Sequence, residues 1–162
     1  MEKFKNNVLY QEDIHNILSS IDTEEFSGKT FLVTGSTGMV GVMLIDVLMK
    51  LPNTKVIAIG RNKERAHSRL GEYYDNPNFR FIEQDVQTPF PNNLKVDYII
   101  PLASNTHPLA YSQYPIETML INIEGARNAL DLAVSCNATV IYPSSVEIYG
   151  NSDDGHFFVE NG

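Results

Sequence analysis

Phe31-Leu32-Val33-Thr34-Gly35-Ser36-Thr37-Gly38-Met39-Val40-Gly41-Val42-Met43-Leu44-Ile45 is the stretch on which the fold of this chain turns. A short apolar run ending at Thr34 has the character of an interior parallel strand. Three glycines follow at G-x-x-G-x-x-G spacing, Gly35, Gly38 and Gly41. Glycine lets backbone turn tightly and approach a ligand where a Cβ would collide. A helix opening near Met39 then offers free N–H groups and the positive end of its dipole, which suits a pyrophosphate. Glycine spacing alone is a weak signal, so the other parts of a dinucleotide site must come from the residues downstream.

With 162 residues the chain has room for one domain. A chain of that size buries roughly 70% of its unfolded surface, enough for a core without staples. Its 12 basic and 20 acidic residues leave a net charge of −8. That argues against nucleic acid as a partner, which wants a basic face. One anionic cofactor held by backbone amides remains compatible. Cys136 is the sole cysteine, so there is no disulfide framework and no metal site is expected. The N-terminus carries no charged-then-apolar leader pattern, and the apolar run from Met39 stops at Asp46. A cytoplasmic protein without a membrane span is the expectation.

Residues 1–26 read as an N-terminal helical extension, with Ile14, Ile17, Leu18 and Ile21 on one helical face and His15 off it. Residues 27–162 read as one α/β domain. Strands are predicted at Phe31–Thr34, Lys55–Ile59, Phe79–Glu83, Val96–Ile100 and Ala138–Tyr142. The helix after the glycines runs to about Lys50, where Leu51-Pro52-Asn53 ends it. A long helix precedes the fifth strand, and Ile116, Leu120, Ile123, Ala126, Leu130 and Val134 predict its packing face. Strands alternating with helices give a doubly wound parallel sheet in three α/β/α layers. Right-handed crossovers imply the order 3-2-1-4-5, with a ligand crevice at the switch between strands 1 and 4.

In such a fold an acid about 20 residues past the glycines binds the adenosine ribose. Here Gly60 holds that position and Arg61 follows. Without the carboxylate a 2′-phosphate is not repelled, and a guanidinium can bind one, which favours NADP. The other reading leaves Arg61 and Lys63 as solvated loop charges and Asn62 alone on the ribose. Asp85, after the third strand, can accept from an adenine amino group or simply form a turn before Thr88-Pro89. Small residues after the fourth strand, Leu102-Ala103-Ser104, let a cofactor pass close by. His107, between Thr106 and Pro108, reads as structural.

Taken together, these elements resemble the N-terminal part of the extended short-chain dehydrogenase/reductase family, the NAD-dependent epimerases and dehydratases of nucleotide sugars. Thr34-Gly35-x-x-Gly38-x-x-Gly41 is similar to its T-G-x-x-G-x-x-G, and Asp85-Val86 falls at its adenine-contacting Asp. Leu102-Ala103-Ser104 resembles its H-L-A-A/S element, with Pro101 in place of the histidine. Asn122-x-x-Gly125-x-x-Asn128 and Ser144-Ser145-Val146-Glu147-Ile148-Tyr149-Gly150 are similar to N-x-x-G-x-x-N and S-[ST]-x-E-x-Y-G. Within the family the look is towards UDP-glucuronate decarboxylases and 4,6-dehydratases, through Tyr111, Pro115-Ile116, Thr118 and Glu147.

The resemblance implies a Rossmann-type fold and a retained NAD held by Gly35, Ser36, Thr37, Gly38, Met39, Val40, Gly41, Arg61, Asn62, Asp85, Val86, Leu102, Ala103, Ser104 and Asn122. It implies oxidation of a UDP-sugar at C4, with Ser145 hydrogen-bonding the C4 oxygen and Glu147 orienting substrate or moving a proton. It also implies a homodimer and a nucleotide-sugar substrate. NAD by resemblance and NADP by Gly60-Arg61 both stand at this point.

The family's Y-x-x-x-K pair is absent: Tyr142 is followed four residues later by Val146, and Tyr149 by Asp153. The chain therefore reads as a fragment lacking the C-terminal substrate-binding part, inactive by itself. The competing expectation is a non-catalytic NAD(P)-sensing module with a protein partner.

Overall fold

Phe31, Leu32 and Val33 are almost wholly buried, as a strand covered on both faces must be. They belong to β1 of a computed structural model that describes residues 5–105 and 107–145. Helices α1 (Val8–Ser20) and α2 (Thr23–Phe26) lead into β1 (Thr30–Thr34), followed by α3 (Met39–Leu48) and β2 (Lys55–Gly60). Next come α4 (Lys63–Leu70), a 3-10 turn (Gly71–Tyr73), β3 (Phe79–Glu83) and β4 (Tyr98–Pro101), then α5 (Pro108–Gln113), α6 (Pro115–Cys136) and β5 (Thr139–Val140). All pairings are parallel and the order is β3-β2-β1-β4-β5, as crossover handedness predicts.

Alternation along β1 divides the core. Phe31 and Val33 pack with Val42, Ile45 and Leu48 of α3 on one face of the sheet. Leu32 packs with Ile121, Ala129 and Leu132 of α6 on the other. Asn53, just after α3, takes a left-handed φ of 56°, which its short polar side chain tolerates.

Several boundaries differ from the sequence reading. α3 ends at Leu48, two residues before Lys50. β4 starts at Tyr98 instead of Val96, because Asp97 is the lead-in: its N–H donates to Thr30 O at 2.8 Å and its Oδ2 accepts from Thr30 N–H at 2.8 Å. β5 has only Thr139 and Val140, although Ile141 N–H still donates to Ile99 O at 2.9 Å.

The packing face of α6 is a larger correction. Ile116, Leu120, Ile123, Leu130 and Val134 point outward, with Ile123 54% and Val134 85% exposed. The inner face is instead Thr118, Ile121, Gly125, Asn128, Ala129, Leu132 and Ala133. Small residues win there because the helix must lie close to the loop after β3: a Cβ on Gly125 would lie 3.1 Å from Val86 Cγ2. Apolar content alone picks the wrong stripe.

α1 is fastened to α3 by a knot centred on one buried carboxylate. Asp46, 3% exposed, accepts from Lys5 Nζ at 2.6 Å, Tyr10 OH at 2.6 Å and Tyr73 OH at 2.9 Å. Lys5 also pairs with Glu72. Ile14 and Val47 close the apolar side of the joint. Burial, reinforced by Asp46, pushes both phenols up from their ordinary range. The extension is thus packed against the helix that follows the glycine loop.

Candidate functional site

β1 and β4 stay paired to their last residues, Thr34 and Pro101, at the centre of the sheet, and the glycine loop leaves β1 directly against the chain that leaves β4. Gly35 sits at a φ of +60°, and a Cβ there would lie 2.7 Å from Leu102 C and O and 2.8 Å from Ala103 N. Only glycine fits, on both counts. Gly38 N–H then donates to Gly35 O at 2.8 Å, and a Cβ on Gly41 would lie 2.5 Å from that same oxygen. Gly35 and Gly41 are therefore required by the protein's own backbone, a different reason from the ligand approach that the spacing suggests. Thr34 Oγ1 accepts from Ala103 N–H at 3.1 Å, tying the two strand ends together across the switch point.

α3 begins at Met39, and its N-cap residue Gly38 offers no side-chain cap. The first-turn N–H groups have no intrahelical acceptor by geometry and face the crevice beside exposed Met39 and Val40. Arg69, at the end of α4, donates from its guanidinium to Thr37 O and braces the loop from outside. Burial, with Arg65 nearby, lowers its pKa from the ordinary arginine value. Neither Arg69 nor Arg65 stood out in the sequence, because their contacts depend on how α4 lies over the loop.

The resulting crevice has a volume of about 510 Å³. It runs from Leu102, Ala103 and Ser104 past Gly35, Thr37, Gly38, Met39, Val40 and Gly41 to Arg61, Asn62, Asp85 and Val86. Two residues expected in it lie elsewhere. Ser36 is fully buried, and its Oγ donates to Ile59 O at 2.9 Å, so it ties the loop to β2. Asn122 is exposed on α6 outside the crevice lining. Its motif partner Asn128 is the buried one, donating Nδ2–H to Val86 O at 2.7 Å and fixing the segment that carries Asp85. Ser145 is the last of the described residues, and Glu147 lies outside them.

At the β2 end, a Cβ on Gly60 would meet its nearest atoms, Phe81 Cε2 and Ser36 Oγ, at 3.4 Å, so a side chain is not sterically barred. Asn62 Oδ1 accepts from Arg65 N–H at 2.7 Å and caps α4. Asp85 forms its turn, with Oδ1 accepting from Gln87 N–H at 2.9 Å, while Oδ2 lies 3.7 Å from Arg61 Nη1. Turn and crevice roles are therefore compatible in one carboxylate. His107 caps α5, its Nδ1 accepting from Leu109 N–H at 3.2 Å, which is the structural role expected of it.

Unpaired N–H groups at mid-crevice and an acceptor towards one end suit a molecule with a central pyrophosphate and an adenine. At the switch point of a 3-2-1-4-5 sheet, they define a Rossmann-type nucleotide-binding domain.

The family model for the NAD dependent epimerase/dehydratase family matches residues 31–161. UDP-glucuronic acid decarboxylase 6 of Arabidopsis thaliana is 32% identical over 125 residues, covering 77% of this chain and 36% of that protein. UDP-glucuronic acid decarboxylase 2 of the same plant is 34% identical over 128 residues, covering 76% and 27%. The solved UDP-N-acetylglucosamine 4-epimerase from Methanobrevibacter ruminantium M1 shares the fold with a TM-score of 0.70 at 23% identity, covering 83% of this chain and 43% of that one. This chain belongs to the NAD dependent epimerase/dehydratase family. It spans about a third of the length of the curated relatives it matches.

Proposed function

We propose that this chain is the cofactor-binding portion of an enzyme that oxidises C4 of a UDP-sugar, with UDP-glucuronate as substrate and decarboxylation as outcome. The observation that carries the reading is the single crevice joining the open N-terminus of α3 to Asp85 across the switch point. The similarity to UDP-glucuronic acid decarboxylases supplies the sugar.

In this mechanism the first-turn amides of α3 would hold the pyrophosphate of NAD or NADP, and Asp85 would accept from the adenine. The nicotinamide, when bound, would supply reversible hydride acceptance from sugar C4. A C4 ketone makes the C6 carboxylate a β-keto acid, which loses carbon dioxide readily. Ser145 hydrogen-bonds the C4 oxygen where negative charge develops. Glu147 moves a proton or orients the sugar. The tyrosine and lysine that would complete proton transfer at C4 are not among these 162 residues. The chain alone is therefore expected to bind cofactor without turnover.

The test is to supply UDP-glucuronate to the product of the complete coding sequence and follow carbon dioxide and UDP-pentose. Release of both supports the reading; a folded, cofactor-loaded product that transforms no nucleotide sugar contradicts it.

The outer stripe of α6 supports a homodimer. A helix of 22 residues is about 33 Å long, and Ile116, Leu120, Ile123, Leu130 and Val134 lie along one side of it, with the ion-paired Arg127 among them. Pairing with the same stripe of a second copy about a two-fold axis covers both at once. Sedimentation velocity is expected to show a dimer, and Ile123→Glu a monomer with unchanged thermal midpoint; a wild-type monomer at all concentrations contradicts the pairing. No helix among the described residues is long and apolar enough to cross a membrane. The proposed substrate fits a cytoplasmic location.

A further inference from the structure

The Thr37–Gly38 peptide is held at both of its ends. Gly38 N–H donates to Gly35 O at 2.8 Å, and Thr37 O accepts from the Arg69 guanidinium. Arg69 stands in the last turn of α4, half-buried and outside the crevice lining, so it reaches the loop from behind. Guanidinium, Thr37 carbonyl, Gly38 amide and Gly35 carbonyl form one continuous run of polar bonds. Each bond polarises the next, and the first carries a full charge. The run ends where the loop has no slack, because a Cβ on Gly41 would lie 2.5 Å from Gly35 O. Gly38 O in turn accepts from Val42 N–H at 3.0 Å, so Gly38 sets the start of α3. Ser36 fastens the preceding residue to Ile59 O through both its Oγ and its N–H, but neither bond holds the peptide after Thr37.

We propose that Arg69 is a positioning residue for the dinucleotide: it fixes the Thr37–Gly38 peptide and, through it, the α3 amides that take the pyrophosphate. The proposal rests on reading the crevice as a dinucleotide site. A guanidinium suits the task, since its charge is delocalised and weakly hydrated and half-burial costs it less than it would cost an ammonium. Rotating the peptide breaks the bonds at both ends and turns Gly38, the N-cap residue of α3, out of its present direction. Without Arg69 the loop keeps the Ser36 tie and the glycine contacts, so the fold is expected to survive. The amides are then no longer aimed before the ligand arrives, and ordering them on binding lowers affinity. That loss falls only on ligands with a pyrophosphate. The adenosine end is served by Asp85, whose turn is fixed by Gln87 N–H and by the bond from Asn128 to Val86 O, neither of which involves Arg69.

The experiment is titration of NAD, NADP and adenosine, which lacks the pyrophosphate, into the 162-residue chain and into its Arg69→Met and Arg69→Gln variants. Thermal midpoints report which variants are folded, and two variants keep the test readable where one does not fold. Losing the charge-assisted bond is expected to weaken dinucleotide binding about tenfold or more and to leave adenosine within about twofold of wild type. The ratio of variant to wild type is expected to persist at about 1 M salt, where a long-range pull of the guanidinium on the phosphates is screened. A folded variant that binds the dinucleotide within about twofold of wild type overturns the positioning role and leaves the dinucleotide reading intact. So does a loss shared equally by adenosine, which marks general loosening, or a loss that vanishes at high salt, which marks a remote charge. Failure of the folded wild-type chain to bind either NAD or NADP overturns that reading and the role with it.

Discussion

Gly35→Ala is expected to abolish dinucleotide binding and to cost the fold about 3–5 kcal/mol. Two separate penalties add. A non-glycine residue at a φ of +60° carries a left-handed backbone cost, and the new methyl would stand 2.7 Å from Leu102 C and O. Those are backbone atoms at the exit of β4, so relief requires β1 and β4 to move apart and breaks the bond from Ala103 N–H to Thr34 Oγ1. The crevice is built on that junction. Gly28→Ala separates the two penalties, because Gly28 has a φ of +73° but no atom within 4 Å of a new Cβ. Urea unfolding is expected to show only the backbone cost at Gly28, about 1–2 kcal/mol, and both costs at Gly35. Equal losses at the two positions would mean that the close approach of Leu102 carries no energy.

Asp46→Ala is the second large effect, far from the crevice. Its removal leaves Tyr10 OH, Tyr73 OH and Lys5 Nζ without the buried acceptor they share. Breaking a buried charged pair by deleting one partner costs about 3–5 kcal/mol. Tyr10→Phe removes one donor and should cost only about 1–1.5 kcal/mol. The same knot sets an alkaline limit. Both phenols have folded pKa values above their ordinary 10.0, so their stabilisation is complete below that pH. It falls as pH rises further, by about 1.4 kcal/mol per pH unit for each tyrosine. Denaturant midpoints measured from about pH 8 to about pH 11 should decline above pH 10, less steeply in Tyr10→Phe. A wild-type slope no steeper than that of Tyr10→Phe would count against a phenol held protonated by Asp46.

The contrast between these two positions shows what a sequence can disclose. Gly35 was legible because strand, turn and helix are contiguous, and a glycine between an apolar run and a helix start serves few purposes besides a tight turn. Sheet order followed from crossover handedness, which is equally generic. Asp46 was not legible: its donors come from residues 5, 10 and 73, and only the folded chain brings them together. The face of α6 failed on different physical grounds. Close approach to Val86 demands small residues such as Gly125 and Ala129, so the buried stripe is the less hydrophobic of the two. At the site, Asn128 and Arg69 act through backbone carbonyls of distant loops, and neither contact leaves a local trace in the sequence.

One measurement bears most directly on the cofactor site: titration of nicotinamide dinucleotide into the wild-type 162-residue chain, with Gly35→Ala as reference. One saturable site per chain is predicted, with a dissociation constant in about the micromolar range and no binding in Gly35→Ala. A folded wild-type chain that takes up neither NAD nor NADP at about 1 mM would contradict it.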